Sequence, residues 1–146
     1  MSSTEHFVGS ERLVSVLGHW PSFHDAEVIS IAAERPLPVE VGAATVKLVV
    51  HVRNYETRGQ GTAKYEQVLT KSVLATFLCR RVADFELSEF NHQNVINSLS
   101  AHHSESSEHP DSPTVVTIES IWGVGGTVRC SEIELVAVDL LPNAGA

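Results

Sequence analysis

Cations, cysteines and aromatic residues are scarce in this sequence, and the shortage of cations already narrows the choice of partner. Lysine and arginine number 10 against 18 aspartates and glutamates, which gives a formal net charge of −8 at pH 7. Because phosphate groups are bound by clustered lysines and arginines, we expect no nucleic-acid partner. The negative charge instead favours a basic protein partner, which such a surface would attract over a distance.

The sequence also lacks the features of a secreted or membrane-embedded protein. Its N-terminal residues have neither the basic start nor the apolar stretch of a signal peptide, and no apolar run reaches the ~18 residues of a membrane span. Cys79 and Cys130, the two cysteines of the chain, lie in apolar runs without metal-ligand spacing, and we expect small buried thiols. These observations predict a cytoplasmic protein that does not contact membranes.

Motifs for nucleophilic, metal-dependent and phosphate-binding chemistry are missing as well. The sequence contains no GxSxG elbow, no HExxH pair and no GxxxxGK(S/T) loop. Eight histidines are present, but no group of them has the spacing of a zinc site. We therefore expect no cofactor and no bound metal, and an enzyme is not the favoured interpretation.

Length and periodicity predict one domain over residues 1–146, with a helix near its start. Over residues 10–18 a serine is available as N-cap, apolar side chains share one face, and Gly18 is a natural end for the helix. Residues 90–99 predict one or two further helical turns from the spacing of their apolar residues. Residues 100–113 contain no large apolar side chain, which indicates an exposed, mobile polar loop.

Alternating apolar residues predict strands over most of the remaining chain. In residues 44–53 every second residue is apolar, so one face meets the core and the other faces solvent or a partner. Residues 54–70 are less regular, and residues 54–61, which hold Gly59 and Gly61, predict a loop. Because two helices are too few to connect parallel strands, we expect an α+β fold, a mainly antiparallel sheet of about five to six strands with two short helices. The predicted strands are 26–34, 44–53, 72–80, 83–87, 114–122 and 127–140.

The stretch from Trp20 to Val28 concentrates aromatic and ionisable residues in a chain that is 6% aromatic. It lies between the predicted first helix and the predicted first strand. His24, Asp25 and Glu27 could act in metal binding or acid/base chemistry, since two residues that are two positions apart in a strand share a face. The alternative is structural, with His24 and Asp25 turning the backbone while the neighbouring aromatics enter the core.

A second group of residues suits a partner-binding face. Tyr55, Glu56, Tyr65 and Glu66 place tyrosines beside carboxylates around the glycine-containing loop. Tyrosines with carboxylates are common in interfaces that receive arginine and lysine, and the acidic residues of the 100–113 loop could extend this face. The alternative is a solvated loop that the tyrosines anchor.

Two segments resemble the immunity protein 50 family of bacterial polymorphic toxin systems. The first runs from Leu17 to Val28 and contains Trp-Pro-Ser-Phe-His-Asp-Ala-Glu-Val, and the second is Phe-Asn-His-Gln-Asn-Val-Ile at residues 90–96. The resemblance implies a cytoplasmic, non-enzymatic antidote that binds and neutralises a cognate toxin domain, and the negative charge is consistent with a basic toxin. It implies no catalytic residues. The family-motif residues, structural or binding, are Trp20, Pro21, Phe23, His24, Asp25, Glu27, Phe90, Asn91, Gln93 and Asn94.

Two functions of other classes stay open at the level of sequence. One is a small metal-dependent or acid/base enzyme that uses His24, Asp25 and Glu27, and a metal analysis of the purified protein would distinguish it. The other is a structural or oligomerising domain, which a measurement of size in solution would reveal. The oligomeric state, the toxin and the interface residues do not follow from the sequence.

Overall fold

A computed structural model describes residues 4–38, 43–59, 61–64 and 66–142, and it consists largely of strands. One helix, α1 (Glu11–Leu17), lies between the first two strands of this described part. The strands in chain order are β1 (Phe7–Val8), β2 (Glu27–Glu34), β3 (Thr45–Arg58), β4 (Glu66–Arg80), β5 (Asp84–Ser88), β6 (Val95–His103), β7 (Thr114–Trp122), β8 (Gly125–Cys130) and β9 (Glu132–Leu140).

The nine strands of the described residues form one sheet in the order β1-β9-β4-β3-β2-β6-β7-β8-β5. The β1–β9 pair is parallel, and each of the other pairs in this order is antiparallel. Strands β8 and β9 are separated only by Ser131, yet each lies next to an opposite edge of the sheet. The chain can connect them because the sheet curls, which brings β8 against β4 and β7 against β9. The amide of Ser131 donates to the carbonyl of Arg80 at this crossing, at 2.9 Å.

The core lies inside this curl and follows the alternation of the strand sequences. Every second residue is buried from Val46 to Val52 in β3 and from Val73 to Cys79 in β4, and the residues between them face outward. Cys79 and Cys130 are free and buried in the core, which confirms the prediction of small buried thiols. A hydrogen bond to Cys130 and burial raise the pKa of the Cys79 thiol, so this group stays protonated. The buried residues of the central strands are Val46, Leu48, Val50, Val52, Val73, Ala75, Phe77 and Cys79.

Helix α1 ends where its sequence predicts. Gly18 adopts a left-handed conformation (φ 87°), and its amide donates to the carbonyl of Val14. Leu13 and Leu17 are buried, which gives the helix one apolar face toward the sheet. At the other end, the Ser10 side chain makes no capping hydrogen bond, so the available serine is not used as a side-chain cap.

The predicted α+β class, with five to six strands and two helices, is wrong. The described residues contain nine strands and one short helix. Residues 90–99, predicted as helical turns, form a turn followed by β6, because their backbone pairs with β2 and β7. The predicted loop over residues 54–61 is largely the continuation of β3, whose pairing with β4 extends to Arg58 opposite Glu66. The predicted strand 127–140 divides at Ser131 into β8 and β9.

The polar segment after β6 is shorter than predicted and has specific anchors. Strand β6 continues to His103, so the connection to β7 spans residues 104–113. The Arg129 guanidinium donates to the carbonyls of Ser104 (2.7 Å) and Ser112 (3.2 Å). The Ser112 hydroxyl donates to the carbonyl of Arg81 at 2.8 Å. The mobility of this loop and the extent of the domain stay predictions.

No helix in the described part of the chain has the length and apolar character of a membrane span.

Candidate functional site

The connection between α1 and β2 makes a tight turn at residues 23–25. Phe23 and Asp25 both have positive φ angles, 64° and 68°. A residue other than glycine in this conformation costs on the order of 1–3 kcal/mol, and its surroundings must offset that cost. Here the amide of Asp25 donates to the carbonyl of Ile96 (2.9 Å), and the amide of Ala26 donates to the carbonyl of Phe23 (3.0 Å). The turn therefore depends on β6, a strand far along the chain.

The strained turn places the Phe23 ring in the core. Phe23 is 2% exposed and meets the rings of Trp20 and Phe77, with centroid separations of 5.3 and 6.0 Å. Trp20 also meets Phe7, at 5.1 Å, and is partly buried at the margin of the core. Pro21 is buried beside them. Burial of these rings is the main favourable term that can hold the turn in its unusual backbone conformation.

Asn94 connects the second family-motif segment to the first. It is 3% exposed and has a positive φ of 45°, which asparagine tolerates better than most residues. Its side-chain oxygen accepts from the amides of Asn91 (2.8 Å) and Val124 (3.2 Å), and its side-chain nitrogen donates to the carbonyl of Val28 (3.3 Å). The amide of Val28 in turn donates to the carbonyl of Asn94 (3.0 Å). The two motif segments are therefore neighbours in the sheet.

Gly123 completes this arrangement because it leaves room for two asparagine side chains. A Cβ atom at Gly123 would lie 2.7 Å from Oδ1 of Asn94 and 2.8 Å from Oδ1 of Asn91. The φ of Gly123 is 88°, which also favours glycine. Asn91 Oδ1 accepts from the amide of Gln93 at 2.8 Å and so shapes the turn itself. We call residues 22–28, residues 91–96 and Gly123 together the motif corner.

His24 and Asp25 lie on the exposed side of the motif corner. The two residues occupy the turn before β2, and their side chains approach each other, with His24 Nε2 at 3.6 Å from Asp25 Oδ1. In a strand, adjacent side chains would point to opposite faces of the sheet, but His24 and Asp25 lie in a turn. His24 Nδ1 lies 2.9 Å from Oδ1 of Asn97. The side-chain nitrogen of Asn97 donates to the carboxylate of Glu119 at 2.6 Å. Because an amide oxygen can only accept, His24 Nδ1 is the donor of its hydrogen bond with Asn97.

Glu27 belongs to a separate network on the outward face of β3. Its carboxylate forms an ion pair with Arg53 and lies 3.6 Å from Nδ1 of His51. The other ring nitrogen of His51 is hydrogen-bonded to the Ser72 hydroxyl. Burial, together with the charge of Arg53, lowers the pKa of His51 despite the opposing effect of Glu27. Glu27 is therefore engaged by β3 and not by Asp25.

This separation bears on the enzyme alternative. The exposed His24 side chain contacts Asn97 and Asp25, whereas Glu27 contacts Arg53 and His51. Within the described ranges, no group of three or more His, Cys, Asp or Glu side chains could hold a metal ion.

The sequence alone did not reveal that Asn97 contacts His24 and Glu119, or that His51 and Arg53 contact Glu27. Only His51 and Arg53 had a signal, since both fall on the predicted outward face of one strand.

A cleft of about 490 Å³ lies between the motif corner and residues 52–55 of β3. Its border includes His24, Asp25, Arg53 and Tyr55, and Tyr55 is exposed. Of the other predicted partner-binding residues, Glu66 is exposed at the start of β4.

The predicted partner-binding group of Tyr55, Glu56, Tyr65 and Glu66 is only partly placed. Tyr65 and the side chain of Glu56 lie outside the described residues. Tyr55 pairs with Leu69 and Glu66 with Arg58, so Tyr55 and Glu66 occupy different levels of the β3–β4 hairpin. Their role in binding stays a prediction.

Comparison with known proteins identifies one family. The family model described as immunity protein 50 matches residues 9–141, which includes the motif corner and every strand except β1. No curated protein and no solved structure matches the chain.

Proposed function

The chain belongs to the immunity protein 50 family, and we propose that it binds a cognate bacterial toxin and neutralises it without catalysing a reaction. The match of the family model over residues 9–141 is the observation that carries this proposal. A family of immunity proteins implies a protein as partner. We further propose that binding takes place in the cytoplasm, where such an antidote would meet its toxin.

The use of the polar motif residues supports a binder over an enzyme. The side chains of Asn91 and Asn94 form hydrogen bonds with backbone groups of the motif corner. His24, Asp25 and Glu27 are divided between two networks instead of converging on one point. Acid/base catalysis needs its groups within hydrogen-bond reach of the same reacting atoms. The geometry suits a rigid support for a surface, since a surface that is already ordered loses little entropy on binding.

A titration of toxin activity tests this function directly. The purified toxin domain encoded beside this gene is assayed at fixed concentration while the protein is added in rising molar ratio. A binder gives full inhibition near a ratio of one, because each molecule blocks one toxin. An enzyme that inactivates the toxin gives full inhibition far below that ratio, with a delay in time.

A double variant supplies the control for this titration. His24→Ala with Asp25→Asn removes both exposed ionisable groups of the turn without altering a buried side chain. For a binder, this variant should still inhibit at a ratio near one. Loss of inhibition with retained complex formation would instead favour the enzyme. Absence of both complex and inhibition with the wild-type protein would overturn the proposed function.

A further inference from the structure

We propose that the toxin docks on the free edge of the sheet at β5, through a basic surface that contacts carboxylates and exposed aromatic rings. This inference rests on the proposed function and names the surface that performs it. The acidic-aromatic edge consists of Asp84, Phe85, Glu86, Glu89, Phe90 and Trp122.

Strand β5 is the last strand of the sheet and pairs on one side only within the described residues. Its partner is β8, in a register that runs from Asp84 opposite Arg129 to Ser88 opposite Gly125. The opposite margin of the sheet is β1, which has two residues against the five of β5. An exposed strand edge is a template for pairing with another chain, and short edges reduce that risk. Of the two terminal strands, β5 is thus the longer.

Three large aromatic side chains are exposed along or beside this edge. Trp122 is 59% exposed, Phe90 52% and Phe85 42%. Phe90 and Trp122 immediately precede Asn91 and Gly123. A Cβ atom at Gly123 would lie 2.8 Å from Oδ1 of Asn91, so both aromatics flank the same point of the fold. Exposed aromatic residues cost free energy in a monomer, and tryptophan in particular is frequent among the residues that dominate binding energy.

The carboxylates of this edge have no cationic partner among the residues that the structure describes. Asp84, Glu86 and Glu89 are exposed, and none of them forms an ion pair with any described residue. Two carboxylates elsewhere in the sheet are compensated, Glu27 by Arg53 and Glu134 by Arg80. The edge therefore has a negative charge of its own beside an apolar surface. A partner that presents lysine or arginine around an apolar centre would complement it.

The same charge argues against a second copy of this chain as the occupant. Antiparallel pairing of two β5 edges would bring Asp84 and Glu86 of one copy close to the equivalent carboxylates of the other. Like charges that face each other across paired strands are destabilising. The carboxylates that would repel a second copy would attract a basic partner.

Matched charge reversals test the docking surface. The edge variant carries three substitutions, Asp84→Lys, Glu86→Lys and Glu89→Lys. The control variant carries Glu5→Lys, Glu34→Lys and Asp139→Lys. The three control positions are exposed and form no ion pair among the described residues. Both variants change the net charge equally. Affinity for the purified toxin domain is measured by calorimetry, and folding by circular dichroism. We expect about a 30-fold or greater loss of affinity for the edge variant, the size of a hot-spot loss, and less than about 3-fold for the control.

A single aromatic replacement keeps the test valid if the triple variant does not fold. Trp122→Ser should weaken binding by about 30-fold with an unchanged melting curve. Wild-type affinity in both edge variants would overturn the docking surface and leave the proposed function intact. A wild-type dimer in sedimentation that Trp122→Ser converts to a monomer, with toxin affinity unchanged, would show a self-interface and would also overturn it. Failure of the wild-type protein to bind the toxin would instead remove the proposed function.

Discussion

The motif corner and the acidic-aromatic edge lie side by side, and they use similar residues in opposite ways. At the corner, Phe23 and Asn94 are almost completely buried, and their polar partners are backbone groups. At the edge, Phe90 and Trp122 are more than half exposed, and the carboxylates have no partner in the described structure. The two regions meet where Phe90 is followed by Asn91. One region holds the sheet together, and the other is available to a second protein.

The contrast separates most of the residues that carry the family resemblance from the residues that we propose contact the partner. The most specific segments of this chain contain a His-Asp pair and two asparagines, which look like chemistry when read as sequence. In the fold the asparagines close a corner, while the exposed charge and aromatic surface lie mostly in β5 and Trp122, outside those segments. Mutations that separate stability from binding can break or sharpen this comparison.

The largest expected effect is at Phe23. Phe23→Ala removes a buried ring and the burial that offsets the strained turn, so we expect a loss of about 3–5 kcal/mol in the free energy of unfolding. Urea denaturation followed by tryptophan fluorescence measures it. Phe85→Ala at the exposed edge is the matched control and should cost much less. Equal losses for the two variants would remove the distinction between the regions.

We expect Trp20→Ala to lower the free energy of unfolding by less than Phe23→Ala does, because Trp20 is only partly buried. The full cost of about 3–5 kcal/mol that applies to a buried tryptophan therefore serves as an upper limit for Trp20→Ala. The same urea experiment measures it, with the second tryptophan, Trp122, as the fluorescent probe. A loss larger than that of Phe23→Ala would mean that Trp20, and not Phe23, is the main anchor of the turn.

Asn94 should show the next effect. Asn94→Ala leaves the amides of Asn91 and Val124 without their acceptor in a buried site, which we expect to cost about 2–3 kcal/mol. Asn94→Asp retains an acceptor oxygen but loses the donor to Val28, and the new charge is buried. Thermal melts compare the two, and hydrogen exchange at Val124 reports the local change. Wild-type stability in Asn94→Ala would contradict the structural role of this segment.

A smaller effect should appear in the pH dependence of stability through His51. Because its folded-state pKa is lowered, the unfolded chain binds more protons than the folded one as the pH falls below the ordinary histidine value of about 6.5. Stability should therefore decrease on acidification through that range, and His51→Gln should reduce the decrease. Melting temperatures at several pH values test this, with His102→Gln at an exposed position as control. An unchanged pH profile in His51→Gln would refute it.

The smallest effect on stability should come from the edge. Trp122→Ser and Glu86→Lys alter exposed side chains, so each should change the free energy of unfolding by less than about 1 kcal/mol. The measurement is the same urea denaturation as for Phe23. A loss comparable to that of Asn94→Ala would assign the edge a structural role and would weaken its assignment to a partner.

Some parts of this fold could be predicted because they depend on neighbours in sequence. The alternation of Val46, Leu48, Val50 and Val52 is enough to predict a strand with one buried face. Gly18 was recognised as the end of the helix for an equally local reason, its tolerance of a positive φ. Strand β1 was missed because two residues are too short to show a period.

Residues 90–99 illustrate why other parts could not be predicted. Their apolar spacing is compatible with a helix, and their intrinsic preference is weak. The conformation is decided by backbone hydrogen bonds to Ala26 and Val28 and by pairing with β7. Those partners are distant in sequence, and a local pattern contains no information about them.

By itself, the sequence determined the position of α1, the alternation of the central strands, the acidic charge and the family resemblance, because each depends on composition or on residues a few positions apart. Only the tertiary structure decided what the resembling residues do. It buried Phe23, turned Asn94 toward Val28 and Val124, separated Glu27 from Asp25, and left β5 at the edge of the sheet. The physical reason is that burial and hydrogen bonding depend on which distant strands become neighbours.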